Sequence, residues 1–192
     1  LDDSVNDAVT FEIEKGFILT LPAVGSTDII DGDTLVFTDG TDTYTVEFDN
    51  DGATTAGNSV VTVAASGEAM INVSNRLRDQ INADVAGGGA AANLGLQAIV
   101  VTGGRVQIFA NDDVTMTAPV PTNFVLDPTS APGVGIDANL NGHVPVRIID
   151  SGTFRASDVA DAIRDAINNA ALPLDITAAI VAGSDRRVQI TH

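Results

Sequence analysis

The short stretch FDNDG could bind a hard metal ion, because it brings several oxygen ligands together. Asp49, Asn50 and Asp51 stand directly before Gly52, and carboxylate and amide oxygens on a tight loop are ligands that Ca²⁺ prefers. An EF-hand loop also requires a Glu at its twelfth position, and none follows here. The stretch therefore predicts a calcium site of another type, with ordinary turn chemistry as the alternative.

A second acidic stretch, DIIDGDT, lies shortly before the first and contains three more candidate ligands. Asp is favoured in turns as well as in calcium sites, so the same two interpretations apply. The candidate calcium ligands of the two stretches are Asp28, Asp31, Asp33, Asp49, Asn50 and Asp51.

No stretch of the chain matches a catalytic signature. Nucleophilic catalysis needs a base beside a nucleophile, and the only histidines are His143, at a predicted strand start, and His192. Cysteine is absent, no ligand spacing resembles a zinc site, and no glycine-rich phosphate loop occurs. We therefore expect that the protein is not an enzyme.

The charge balance limits the classes of partner. The chain has 26 acidic and 9 basic residues, a formal net charge of −17. Nucleic-acid binding requires a positive surface, so we expect no nucleic-acid partner, and an anionic membrane surface is disfavoured for the same reason. Aromatic residues make up 4%, which disfavours sugar stacking and the clefts of paired-carboxylate glycosidases.

Several features favour an extracellular or cell-surface location. Only four of the acidic residues are Glu and the single lysine is Lys15, a composition compatible with a salty setting. No apolar run approaches the roughly 20 residues that span a bilayer, so no membrane insertion is expected. The chain begins at Leu1, which is typical of a mature or excised segment whose signal peptide has been removed.

The tetrapeptide RVQI occurs at residues 105–108 and again at 187–190. Walking back from both occurrences, a series of identical residues appears in the same order, with length differences that fall in loops. The matched pairs are Gly57 with Gly142, Ser66-Gly67 with Ser151-Gly152, Arg78-Asp79 with Arg164-Asp165, and Ile81-Asn82 with Ile167-Asn168. The chain therefore contains a duplicated unit.

Each copy reads as strand, helix, strand, strand. Apolar residues at spacings of three and four predict one buried stripe on each helix, and the helices should end near Asn82 and Asn168. A glycine-containing turn then joins the last two strands as an antiparallel hairpin. The stripe residues are Met70, Val73, Leu77, Ile81 and Val85 in the first helix, and Val159, Ile163 and Ile167 in the second.

Alternation within RVQI predicts which side chains face the core. Val106 and Ile108 should point inward, and Arg105 and Gln107 outward. Val188 and Ile190 should likewise point inward in the second copy. Half-burial of the strand explains this pattern without a ligand.

Sequence before the first helix predicts further strands. TFEIEKGFILTLP contains two strand-like runs broken at Gly16, and TLVFT and TYTVEF flank the turn DGTD as a hairpin. The run from Gly87 to Ala92 is the best candidate for a flexible loop.

These elements predict an α+β fold, mainly of antiparallel strands with two helices, built from a duplicated β-α-β-β unit. Residues 1–15 form an N-terminal strand segment, and residues 16–110 the first unit with an extra hairpin. Residues 111–141 are a Pro/Gly/Asp-rich crossover, and residues 142–192 are the second unit.

The N-terminal strand has two alternative partners. Val9, Phe11 and Ile13 alternate with polar residues, so the strand should be half-buried. It could pair within its own chain, or it could be donated to the sheet edge of a neighbouring subunit. The edge of the last strand, with Val188 and Ile190, is a second candidate for a subunit interface.

The chain resembles modules repeated in tandem through very large exported bacterial proteins, many from planctomycetes and marine bacteria. The shared features are the DG-T-hydrophobic strand, the T-x-E-F-D strand end, the G-N before a Val-rich strand and the A-I-N helix end, over most of residues 28–192. The resemblance implies a secreted, repeat-built structural or adhesive protein. This chain differs in lacking the DG hairpin before its second helix.

Taken together, these features predict a structural subunit of an extracellular bacterial assembly, such as a filament, a surface layer or an adhesin stalk. Its partners would be copies of itself or neighbouring repeat modules, with calcium as the candidate cofactor. Two alternatives remain: a carbohydrate- or surface-binding module of a larger secreted protein, whose partners would be surface glycans, and a phage or viral structural protein.

Overall fold

A computed structural model describes residues 11–22, 29–64, 67–111, 113–118, 124–127, 144–153, 155–170, 176–184 and 186–191. Within these ranges the fold is α+β and mainly β, as predicted, with three helices and twelve strands. The strands are β1 Phe11–Glu14, β2 Phe17–Thr20, β3 Thr34–Thr38, β4 Thr43–Asp49, β5 Ser59–Thr62, β6 Gln97–Val101, β7 Arg105–Phe109, β8 Thr115–Thr117, β9 Val125–Leu126, β10 Val144–Arg147, β11 Thr177–Ile180 and β12 Val188–Thr191. The helices are α1 Met70–Gly87, α2 Ala90–Asn93 and α3 Ala156–Asn169.

The first unit packs two four-stranded sheets and helix α1 around one core. The strand orders are β5-β4-β3-β8 and β6-β7-β2-β9, so the crossover supplies one strand, β8 or β9, to each sheet. The predicted stripe of α1 is buried at Val73, Leu77 and Ile81, and it packs into the core that both sheets share. Burial of such side chains stabilises by about 1.5–3 kcal/mol each.

The β3–β4 hairpin forms as predicted from the turn DGTD. Antiparallel pairing runs from Thr34 opposite Glu47 to Thr38 opposite Thr43. In the turn, the Asp39 carboxylate accepts from the backbone N–H groups of Thr41 and Asp42, both at 2.7 Å. Leu35 and Phe37 alternate into the core, as the period of two requires.

The second unit is smaller and has its own core. Val146, Ile148 and Ala166 form its buried cluster, with the predicted stripe residues Val159 and Ile163 packed against them. The third predicted stripe residue, Ile167, is buried as well. Hairpin β11–β12 pairs antiparallel, and β10 pairs in parallel with β1. The core lies between α3 and these short strands, so it buries far fewer residues than that of the first unit.

An asparagine clamp shows that the two copies share detailed geometry. The Asn82 amide donates to Ala98 O and accepts from Ala98 N, both at 2.9 Å. Asn168 makes the same two bonds with Ala178, at 2.9 and 2.8 Å. The repeated Asn therefore ties each long helix to the first strand of the hairpin that follows, from the last turn of α3 and from a position five residues before the end of α1.

Two boundaries differ from the sequence prediction. Helix α1 continues past Asn82 to Gly87, and the run predicted as a flexible loop contains the short helix α2. Ala91 in this helix is buried against the core of the first unit, and that contact stabilises helical structure that the glycines alone would not favour. Gly88 and Gly89, both at positive φ, make the turn between the helices.

In each copy of RVQI, the burial of one strand face differs from the prediction. Val106 and Ile108 are buried as expected, but Gln107 is buried too, because the second unit covers the face that was expected to be solvated. In the second copy Val188 is half-buried and Ile190 is 59% exposed. No second sheet packs on the terminal hairpin in the described part of the chain, so the inward prediction for Ile190 is wrong.

The segment β1–β2 connects the two units. Strand β1 pairs with β10 of the second unit, while β2 pairs with β7 and β9 of the first. Between them Gly16 has φ +65°, and a Cβ there would lie 2.5 Å from Ile108 O. Only glycine fits this close passage from one sheet to the other.

Candidate functional site

Three of the predicted calcium ligands lie together at the end of β4. Carboxylate oxygens of Asp31, Asp49 and Asp51 all lie within 4.8 Å of one another. Asp49 is the last residue of β4, and Asp31 comes from the turn before β3. Strand pairing therefore joins the two acidic stretches that the sequence singled out separately.

Backbone donors orient this cluster. Asp49 accepts from the N–H groups of Asp51 and Gly52, at 3.2 and 2.7 Å. Asp31 accepts from Asn50 N at 2.8 Å. Asp49 is only 6% exposed. The three carboxylates supply the oxygen ligands that suit Ca²⁺. The same backbone hydrogen bonds also occur in ordinary capped turns.

The other three predicted ligands have different positions. The Asp33 carboxylate accepts from Ile30 N at 2.8 Å and is outside the cluster, and burial raises its pKa. Asn50 faces the cluster with its backbone N–H. Asp28 lies outside the described residues, as do His143 and His192.

The contact between the two units is the feature that sequence reasoning missed. The buried Gln107 amide donates to Lys15 O at 2.6 Å and to Ile148 O at 2.7 Å. Its carbonyl oxygen accepts from Asp150 N at 2.9 Å. One side chain thus satisfies three main-chain groups, one from the residue after β1 and two from the segment after β10.

Arg105 adds an ion pair to the same contact. Its guanidinium lies 3.0 Å from the Asp150 carboxylate, and the Thr102 hydroxyl donates to Ser151 O. The hydrogen bond from Arg105 contributes to a lower pKa at Asp150, against the burial that would raise it. The sequence does contain a signal for this contact: Arg and Gln, at the outward positions of RVQI, are identical in the two copies. Core packing alone would require similarity only at the inward Val and Ile.

Glu14 is the buried charge of this contact. Its side chain is 1% exposed, and it accepts from Ala110 N at 3.0 Å and from Arg147 Nε at 3.1 Å. The Arg147 guanidinium also donates to Gln97 and stacks over Phe109 at 5.3 Å from the ring centroid. A buried carboxylate needs such partners, and here they come from both units.

Strand β1 has the same position in the second unit as strand β4 has in the first unit. In the first unit Val46 to Asp49 pair in parallel with Ser59 to Thr62. Phe11 to Glu14 pair in the same way with Val144 to Arg147, the residues that match β5 in the duplication. The paired sequences are VEFD and FEIE.

The equivalence extends beyond the strands. Val63 N donates to Asp49 O at 2.7 Å, and Ile148 N donates to Glu14 O at 2.9 Å. Both bonds join the last residue of the first strand to the segment that follows its partner. The second unit thus takes from the N-terminal segment the strand that its own sequence lacks.

The predicted interface residues are largely at the surface. Phe11 is 39% and Ile13 54% exposed, although the strand itself pairs with β10 of its own chain, which is the intramolecular alternative. Val188 is half-buried and Ile190 exposed. Val9 lies outside the described residues.

Comparison with models of known families, with curated proteins and with solved structures found no match to this chain. Among the described helices, none combines the length and apolarity needed to cross a membrane.

Proposed function

We propose that the protein is a structural subunit of an extracellular bacterial assembly, in which modules are held together by strand pairing and by packing between units. One observation carries the proposal: the second unit is completed by a strand from a distant part of the chain, in the register that β4 has in the first unit. Strand addition gains main-chain hydrogen bonds with little demand on side chains, which suits repeated contacts between similar modules.

The energetics of the contact between units support a mechanical role. Gln107 binds only backbone groups. The buried Glu14 carboxylate accepts from Ala110 N of the first unit and pairs at 3.1 Å with Arg147 of the second unit, which is 34% exposed. Loss of these partners would leave the Glu14 charge buried without compensation, which is destabilising. The two units are therefore joined by hydrogen bonds to the main chain and by a buried charge, which supports a mechanical role.

Electron microscopy and sedimentation of the purified protein test this proposal. We expect regular polymers that grow with protein concentration, and addition of Ca²⁺ or a chelator gives the matched comparison. Persistent monomers under all conditions would contradict a structural subunit and favour the surface-binding module.

The buried aromatic residues argue against that carbohydrate-binding alternative. Among the described residues, the rings of Phe17, Phe37, Tyr44, Phe48 and Phe109 are all buried in the core or in the contact between units. Sugar-binding surfaces usually present aromatic faces, and among the aromatic residues that the structure describes only Phe11 is exposed. A signal peptide in the parent gene would separate the bacterial assembly from a phage structural protein.

A further inference from the structure

The two hairpins of the duplication have the same outward residues in unequal surroundings. Arg105 and Gln107 of β7 contact the second unit, and Gln107 is fully buried. Arg187 and Gln189 occupy the same positions next to and in β12, and both are exposed. The face that joins the two units in the first copy is therefore open in the second.

The edge of the terminal hairpin is open as well. In the first unit the outer edge of β7 pairs with β2. In the described part of the chain β12 pairs with β11 alone, and Ile190 beside this edge is exposed. Natural proteins rarely leave such an edge uncovered without a partner or a protective device.

The surface that the first hairpin contacts has a counterpart on the first unit. Gln107 binds the backbone at Lys15, Ile148 and Asp150, and in the duplication Asn50 matches Lys15 and Val63 matches Ile148. These backbone paths are held by the same hydrogen bond, Val63 N to Asp49 O and Ile148 N to Glu14 O. Recognition through main-chain groups depends on the path of the chain more than on its side chains.

This counterpart is exposed and acidic. Asn50 and Ala64 are exposed. The Glu68 carboxylate accepts from Ala64 N at 3.0 Å and is paired with Arg76, so the acidic charge of this surface comes from the cluster of Asp31, Asp49 and Asp51 beside Asn50. Asp31 lies on the other side, accepting from Asn50 N. The terminal hairpin carries the exposed Arg187 at the position of Arg105, so the two surfaces are complementary in charge.

We infer that hairpin β11–β12 of one copy docks on the segment around Asn50 and Ala64 of a second copy of this chain, as hairpin β6–β7 docks on the second unit within one chain. The inference rests on the proposed function and specifies its contact. The two surfaces are different, so the association is head-to-tail and extends as an open chain.

Complementary surface variants test this contact. The hairpin variant is Arg187→Glu with Gln189→Glu, and the acceptor variant is Asn50→Arg with Ala64→Arg. Each places like charge or a bulky group in the contact, which should lower the association constant roughly tenfold or more. All four residues are exposed, so the melting temperature should stay that of the wild type, and Thr41→Arg, in the exposed β3–β4 turn, is the control that should polymerise normally.

A mixture of the two variants gives the decisive measurement by sedimentation velocity. Each variant alone should remain monomeric, whereas an equimolar mixture should form dimers and nothing longer, because one intact hairpin and one intact acceptor remain. Wild-type polymers that persist in both variants would overturn the inference and leave the proposed function standing. Dimers of the acceptor variant alone would overturn it in favour of symmetric hairpin pairing, and a strictly monomeric wild type would overturn both proposals.

Discussion

A single amide side chain, that of Gln107, joins the two units by binding three main-chain groups. Because these groups are buried, each one that loses its hydrogen bond lowers the stability of the fold by about 1–3 kcal/mol. Gln107→Leu should therefore lower the free energy of unfolding by roughly 2–4 kcal/mol. Denaturant titration of the purified variant measures this.

The duplication supplies the control for that substitution. Gln189→Leu changes the matching residue of the second copy, which is exposed, so its effect should stay within about 0.5 kcal/mol. Equal losses in the two variants would show that Gln107 contributes through strand propensity and not through the contact between units.

Gly16 is the second position where one residue decides the geometry. With φ at +65° and a Cβ only 2.5 Å from Ile108 O, Gly16→Ala should destabilise the protein by about 2–3 kcal/mol or more, through strain and displacement of β2. Gly40→Ala is the matched control, because its φ is +87° but nothing lies within 4 Å. It should cost about 1 kcal/mol, and a cost equal to that of Gly16→Ala would contradict the close passage.

For residues in strands, the sequence predicts only how side chains alternate between the two faces of the strand. A period of two shows which side chains share a face, and Val106 and Ile108 are buried as expected. It does not show whether another part of the chain covers the opposite face. Alternation alone therefore places Gln107 in solvent and Ile190 in a core, whereas Gln107 is buried and Ile190 is exposed.

At the scale of elements, the loop between β4 and β5 is held by one buried carboxylate. Glu47 accepts from Asn58 Nδ2 at 2.6 Å and from Thr55 N at 3.0 Å. The hydrogen bond from Asn58 is the main reason that the pKa of Glu47 is lowered.

The lowered pKa of Glu47 predicts how the stability of the fold changes as the pH falls. Because the folded state favours the charged form of Glu47, its stabilising contribution is present above the usual pKa of about 4.3 and is lost as the pH falls through the lower folded value. Asn58→Ala should raise the pKa of Glu47 toward that usual value. A carboxyl NMR titration measures this, and an unchanged Glu47 pKa would contradict the assignment.

The acidic cluster at the end of β4 predicts a calcium effect. If Ca²⁺ is held by Asp31, Asp49 and Asp51, a hundredfold excess over its dissociation constant should stabilise the fold by about 2.7 kcal/mol. Thermal melts in calcium and in chelator measure the difference. Asp31→Asn should abolish it, whereas Asp39→Asn, in the turn at the opposite end of the β3–β4 hairpin, should leave it intact. Identical melts of the wild type would show that the cluster is only turn chemistry.

Most elements could be predicted because their signals are local. Turn residues and apolar spacing predict the β3–β4 hairpin, both long helices, and the hairpins β6–β7 and β11–β12. The partner of β1 could not, because pairing between residues 11–14 and 144–147 has no local signature. Helix α2 was also missed, since burial of Ala91 outweighs the low helix propensity of the adjacent glycines.

At the scale of the whole molecule, the second unit depends on a strand from the other end of the described chain. Deleting residues 1–15 should leave the first unit folded, because its sheets begin at Phe17. It should remove hydrogen-exchange protection from β10 and α3, and a synthetic peptide spanning residues 9–16 should restore it. Deleting residues 1–10 alone, which spares β1, is the control; full protection after the longer deletion would show that β1 is dispensable.

The pairing of β1 with β10 also has a consequence for the order of events during synthesis, and during export if the protein is secreted as proposed. Glu14 meets Arg147 across 133 residues of sequence, so β1 emerges from a ribosome or a secretion channel long before its partner exists. Contacts of such high sequence separation form late and slowly, and an early strand with an uncovered edge is prone to pair with the wrong chain in the meantime. Secretion in an unfolded state would postpone that choice until the whole chain is outside, where a wrong partner and a neighbouring subunit are chemically the same.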